Sequence, residues 1–201
     1  MPTTYMHDIE LDRLEESLEL PPGFIASLEL ESDWSFIIKS HAIIESICST
    51  LITNATGKPE LSKLFSRLPL GDSEFGKLRF IRDLNLLDES LRKYITSLSE
   101  LRNKIVHNIE NVNFDVTDHF NSLDKNQKTS FIAKFGIGLN NTNDNQELNA
   151  KMFKEQPRQA LNLSFVYVIY KIELLFLDQV AAKKKAQLAD LEAKLFRGTK
   201  T

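Results

Sequence analysis

Cysteine is nearly missing from this chain: Cys48 stands alone among 201 residues. One thiol closes no intramolecular disulfide and builds no zinc ribbon, so the sequence reads as that of a protein kept in a reducing, cytoplasmic setting. Glycine and proline are also scarce, at seven and six, which excludes collagen-type repeats and low-complexity disorder. No GxGxxG loop, Walker loop or zinc-ligand spacing occurs, so dinucleotide, nucleoside-triphosphate and zinc-hydrolase chemistry have no motif to rest on. The formal net charge is only -3; any nucleic-acid contact must therefore come from a local cluster rather than a global field. Residues 1–20 lack the basic-then-apolar order of a signal peptide. The longest apolar stretch, Leu161 to Leu177, is broken by Lys171 and Glu173 and is shorter than the roughly 20 residues of a membrane span. We read it as a buried helix and expect no membrane partner.

What is present is helical periodicity. The chain reads as an all-α bundle of about five to seven helices with a long C-terminal helix. An acidic leader covers residues 1–32, the bundle residues 33–180, and a charged helical extension residues 181–201. Asp33 is the expected N-cap of a helix from Trp34 to Asn54, whose apolar residues Ile37, Ile44, Cys48, Leu51 and Ile52 recur at helical steps. A short helix is expected over Pro59–Arg67, then a turn and a helix bearing Phe75, Leu78, Phe80, Ile81 and Leu84. Asp88 caps the next, running to about Ile109 with Leu91, Ile95, Leu98, Ile105, Val106 and Ile109 inward. Residues 111–118 read as extended, 120–135 as one helix, and 136–147 as an exposed, variable loop. A last helix from Gln159 to Phe196 is apolar nearly all round in its first half. It is either the central member of the bundle or the face on which a second copy docks.

Polar residues interrupt these stripes. His41 and Glu45 fall on the inner side of the first long helix, and Arg102 falls on that of the Asp88 helix. Burying an unpaired guanidinium or carboxylate is costly, so the cheapest arrangement pairs Arg102 with Glu45 and sets His41 beside them. Alone, this is an internal ion pair that fixes helix register. The local sequence Leu101-Arg102-Asn103-Lys104-Ile105-Val106-His107 adds more. On a continuous helix Arg102 and His107 diverge by about 140°, but a helix that ends near His107 lets the imidazole turn back toward Arg102 and Asn103. Arg, Asn and His gathered together suit phosphoryl transfer: a fork of donors for phosphate, an amide to orient it, and a proton shuttle.

This Arg-Asn pair, with a His five residues after the Arg near a helix end (RNxxxH), resembles the signature of the HEPN superfamily. The layout of Leu68 to His107, a Pro-Leu turn, a helix ending in Leu-Leu, then a helix delivering Arg-Asn and His, is similar to mannitol-operon-repressor-like members. The likeness covers mainly Trp34 to His107. It implies metal-independent RNA cleavage at a groove shared by two protomers. Arg102 would bind the scissile phosphate, His107 would act as general acid or base, and Asn103 would support them. Glu45 and His41, outside the motif, are assigned the role of orienting Arg102. The resemblance calls for no cofactor and no metal, and for an RNA substrate, a homodimer, and an antitoxin or regulatory protein as partners, as in a toxin or defence effector. Repressor-like members are regulators, so a non-catalytic interaction module is the competing expectation.

The remaining candidates have plainer readings. His119, in Asp115-Val116-Thr117-Asp118-His119, reads as a solvated helix start rather than a metal ligand. Cys48 reads as a small core residue, and His7 as part of the leader. The Lys183-Lys184-Lys185 run reads as a solvated face that can meet phosphate, as can Arg92, Lys93, Lys104, Lys151, Lys154 and Arg158.

Overall fold

The computed structural model of the chain describes residues 11–72, 74–107, 109–139 and 146–198, the side chains of 109, 146 and 195–198 excepted. Among the described residues there are ten α-helices and no strand. They are α1 (11–17), α2 (Phe24–Ser27), α3 (Asp33–Thr56), α4 (Ser62–Arg67), α5 (Lys77–Asp83), α6 (Glu89–Val106), α7 (Val116–Ser122), α8 (Lys125–Phe135), α9 (Gln146–Glu155) and α10 (Pro157–Gly198). The expected five to seven becomes ten because short helices form in the leader and because the region after α6 is more helical than its sequence indicates.

α3 is the hub: it packs on α4, α5, α6 and α10. Its buried Phe36, Ile37, Ile44, Ile47, Cys48, Leu51 and Ile52 leave almost no apolar surface to water. Phe36 meets Phe165 of α10 edge to face at 5.9 Å, and α10 contributes Leu161, Val168, Ile169 and Ile172 to the same core. Gly57, at φ 66°, ends α3 in the left-handed conformation that costs glycine least. By length and composition both α3 and α10 match a membrane span, and α3 spends that surface inside the bundle. Residues 11–30 join the core through Leu14, Ile25 and Leu28. The buried Glu15 carboxylate accepts the free amides of Gly23 (2.6 Å) and Ile25 (2.7 Å).

Asp33 does not cap α3. Ser32 does, its Oγ accepting the Ser35 amide at 3.3 Å. The Asp33 carboxylate is instead a junction: Oδ2 accepts the Val116 amide at 2.6 Å and Oδ1 accepts Arg158 Nε at 2.8 Å. Arg158 also donates to the Leu28 carbonyl (2.7 Å) and lies 3.6 Å over the Phe36 ring. Burial pushes the Arg158 pKa down and Asp33 opposes it. This residue, expected on a phosphate-binding surface, is thus committed to holding α3, α7 and α10 together.

Residues 111–118 are not extended. A 3-10 turn (Ile109–Asn113) leads into α7, which Asp115 caps through the Asp118 amide at 2.8 Å. The single helix expected over 120–135 breaks at Leu123, because Asp124 and Gln127 form a reciprocal capping box that starts α8. Within the expected loop, residues 140–145 lie outside the described residues, whereas Gln146 and Glu147 already belong to α9. α9 places Phe153 against Phe120 (6.0 Å) and Phe131 (5.8 Å). α10 starts at Pro157 rather than Gln159, proline being well suited to a first helical turn.

Candidate functional site

α6 carries Arg102 and Asn103 and ends just before His107. Asp88 caps its start by accepting the Leu91 amide at 2.9 Å. The helix stops at Val106, with His107 as the C-cap residue. One of the carbonyls left open at that end, that of Lys104, accepts a hydrogen bond from Asn111 Nδ2 at 3.1 Å. His107 is exposed. Its position four residues after Asn103 puts the two on one helix face, where such neighbours lie about 5–6 Å apart at Cβ. Arg102 NH1 donates to Asn103 Oδ1 at 3.0 Å. Arg102, Asn103 and His107 form a row along the end of α6 with Asn103 as its middle member, but His107 keeps the helical conformation (φ -80°, ψ -8°), so it does not turn back as expected and stands about 140° round the helix axis from Arg102.

The pair expected between Arg102 and Glu45 does not form. Glu45 Oε1 instead accepts Lys77 Nζ at 2.8 Å. Lys77, at the start of α5, has no exposed side-chain surface. Its ammonium also donates to the carbonyls of Leu68 (2.6 Å) and Ser66 (3.3 Å) at the end of α4, which uses all three N–H bonds. The buried apolar residues of α6 are Leu91, Tyr94, Ile95, Leu98, Leu101 and Ile105. Their mean direction puts Arg102 about 45° off centre, on the flank of the seam between the directions of Leu98 and Ile95. The Arg102 side chain is accordingly half-buried, with Nε enclosed and unpartnered.

His41 is buried, its Nδ1 3.9 Å from Glu45 Oε2. Burial is the main cause that lowers its pKa; Glu45 works against this, and the Arg102 and Lys77 charges add to it. His41 is thus neutral at pH 7, and the contact with Glu45 is not a pair of full charges. Arg102 lies close enough for its charge to act on His41, so the two long helices meet here as expected, though through a different ion pair. A lysine at the start of a short helix gives no sign in sequence that it will be enclosed; only the crossing of α4 and α5 over α3 shows it.

The other candidates fall away from this row. Burial pushes the Cys48 thiol up to about 12, as suits a core residue rather than a nucleophile. His119 is half-buried rather than fully solvated: its ring stands 5.4 Å from Phe114 and 6.0 Å from Phe131. Burial lowers its pKa, with a further contribution from Lys104. Asp115 beside it is occupied as a helix cap, and among the described residues no group of three acids, histidines or cysteines is placed to hold a metal ion. Lys183 donates to the Asn54 carbonyl at the end of α3, a favourable place for a cation. Lys93 pairs with Glu89 at 2.6 Å. His7 lies outside the described residues.

Two outcomes follow. Glu45→Ala leaves the enclosed Lys77 ammonium without its counter-charge and is expected to cost about 3–5 kcal/mol. Arg102→Ala is expected to cost much less, and Lys77→Met less than Glu45→Ala, because Glu45 is 34% exposed and water can reach it. Urea unfolding of the three variants checks this ranking; equal losses for Arg102→Ala and Glu45→Ala would put those two in one pair after all. The second outcome concerns acid. His41 and His119 both titrate below their ordinary value of 6.5 in the folded chain. Between 6.5 and those lowered values the unfolded chain binds more protons, so stability is complete above pH 6.5 and falls as pH drops through that window. His41→Asn with His119→Asn is expected to flatten the slope of unfolding free energy against pH below 6.5; an unchanged slope would contradict the enclosure of these rings.

No protein-family model, no curated protein and no solved structure matches this chain, so the reading of the site rests on the residues described above.

Proposed function

We propose that the chain is a HEPN-like, metal-independent endoribonuclease whose chemistry is carried by Arg102, Asn103 and His107. The observation that carries this reading is the row at the end of α6: a guanidinium hydrogen-bonded to an amide, with an exposed imidazole one turn beyond that amide. Arg102 keeps donors free for the non-bridging oxygens of a scissile phosphate. Asn103, its carbonyl engaged by Arg102, offers its NH2 group to the same phosphate. His107 exchanges the proton of the ribose 2'-hydroxyl or of the leaving 5'-oxygen. The 2'-oxygen attacks phosphorus, the bond to the 5'-oxygen breaks, and a cyclic phosphate is left on the upstream fragment. No step in this scheme calls for a metal ion.

Glu45 and Lys77 hold α3, α4 and α5 in place behind the row, and His41 adds a neutral wall beside Arg102. Partners of the kind the resemblance implies, a second copy of the chain and an antitoxin or regulatory protein that restrains the activity, belong to the proposal, as does a cytoplasmic place of action. The competing reading, a non-catalytic interaction module, is favoured by one observation: the exposed apolar length of α10, with Leu174, Leu177, Leu188 and Leu191 open to solvent.

Purified chain incubated with total RNA in EDTA distinguishes the two. Wild type is expected to fragment RNA, and His107→Ala to lose about 10²–10⁴-fold in rate with its circular dichroism and unfolding midpoint unchanged, since His107 is exposed. Intact RNA with wild type, or equal cleavage by both proteins, would leave only the module reading.

A further inference from the structure

Along α10 the residues Leu163, Tyr167, Tyr170, Leu174, Leu177, Ala181, Lys184, Leu188 and Leu191 are spaced alternately by four and three. That is a heptad seam sustained over four repeats. It is separate from the face that packs on α3, which consists of Leu161, Phe165, Val168, Ile169 and Ile172. Its first three members are partly covered, Leu163, Tyr167 and Tyr170 lining a cavity with Leu11, Leu139 and Met152 and Tyr167 packing on the core, whereas the stretch from Leu174 to Leu191 is open: Leu177 is 51% exposed, Leu188 61% and Leu191 56%. We propose that this open stretch pairs with the same stretch of a second copy of this chain, and that the two helices run antiparallel.

The charges beside the seam decide both the partner and the direction, because residues flanking a coiled-coil core set who pairs and in what orientation. One flank carries Lys171, Asp178, Lys185 and Glu192; the other carries Glu173 and Lys194. In a parallel pair Lys184 of each copy would meet its own equivalent inside the seam, and Glu173 would face Asp178 of the second copy, both repulsive. Reversing one helix removes both clashes. With Leu174 opposite Leu191 of the second copy and Leu177 opposite its Leu188, Lys171 faces Glu192, Asp178 faces Lys185 and Glu173 faces Lys194. By symmetry each of these attractive pairs occurs twice. Lys184 then lies over the small Ala181, which leaves room for its stem to reach water. Lys194 pairs within its own helix with Asp190 at 2.6 Å, an exposed contact of the kind that contributes little and yields readily to a cross-helix partner.

In this register the two bundles stand at opposite ends of the seam, with the midpoints of their packed α10 segments about 50 Å apart at 1.5 Å per residue. The pairing is therefore a contact distinct from a groove between two α6 ends. None of the seam residues belongs to the Arg102-Asn103-His107 row, so the inference stands or falls independently of the nuclease reading.

Light scattering on the full-length chain at micromolar concentration is expected to give at least twice the 23.0 kDa chain mass. Leu177→Asp with Leu188→Asp is expected to halve the wild-type mass, whether or not a second contact exists at α6, with helicity retained, since both side chains lie outside the core. Asp178→Lys alone is expected to weaken association at least tenfold, and Asp178→Lys combined with Lys185→Asp to restore it. Direction is read by disulfide trapping, the native Cys48 being buried: a mixture of Leu174→Cys and Leu191→Cys chains is expected to cross-link one to the other, and neither variant to itself. A monomeric wild type overturns the proposal, whether that monomer floats with lipid vesicles or takes up another protein's helix. Self-linking of Leu174→Cys alone overturns the antiparallel arrangement.

Discussion

The Lys77 ammonium, enclosed completely and answered by one carboxylate and two carbonyls, is the constraint on which the site end of this bundle depends. α3 packs on four other helices, and an ammonium enclosed against it must find a counter-charge or pay for its desolvation. Glu45 provides that charge and so fixes α5 against α3, while the same ammonium takes up carbonyls where α4 ends. At the start of α3, Asp33 does the equivalent work for α7 and α10 through Val116 and Arg158. Two charged junctions thus pin one apolar rod, at its start and at its middle. Both are geometrically demanding, which favours a single arrangement of the helices over the many that an oily core alone tolerates.

Holding α3 in this way leaves Arg102 free. Because Glu45 is already satisfied, the guanidinium at the margin of the α6 seam is not consumed in an internal pair and turns to Asn103. A group available for a ligand is what a phosphate-binding role needs; had it been locked against Glu45, the same residue would have been structural. The termination of α6 at Val106 matters equally, since it sets His107 at an exposed cap one turn beyond Asn103.

Local signals made much of this legible in the sequence. The stripes of α3 and α6, the Asp88 cap and the end of α3 before Gly57 are properties of short segments, and the structure reproduces them within two or three residues. The polar positions His41, Glu45 and Arg102 were identifiable as residues interrupting apolar faces. Their pairing was not, because Val106 and Ile109 drew the inferred centre of the α6 stripe toward Arg102, whereas the buried line passes through Tyr94, Leu101 and Ile105. Arg158 read as a surface cation, and nothing in the sequence marks Lys77, because enclosure is a property of how helices cross. The region after α6 misled for another reason: Asp115 and Asp124 are ordinary polar residues until their side chains cap a helix, and Phe153 declares itself only within its aromatic cluster.

α10 joins the two scales. One face completes the core and the other presents leucines at heptad spacing, so a single helix both closes the bundle and offers a surface for association. The chemistry assigned to the end of α6 is tested most directly by the products themselves. Mass spectrometry of a defined oligonucleotide incubated with the chain is predicted to show 2',3'-cyclic phosphate on the upstream fragment, and no cleavage at a linkage whose ribose lacks the 2'-hydroxyl. Cleavage of the 2'-deoxy linkage, or fragments ending in a free 3'-hydroxyl, would contradict the account.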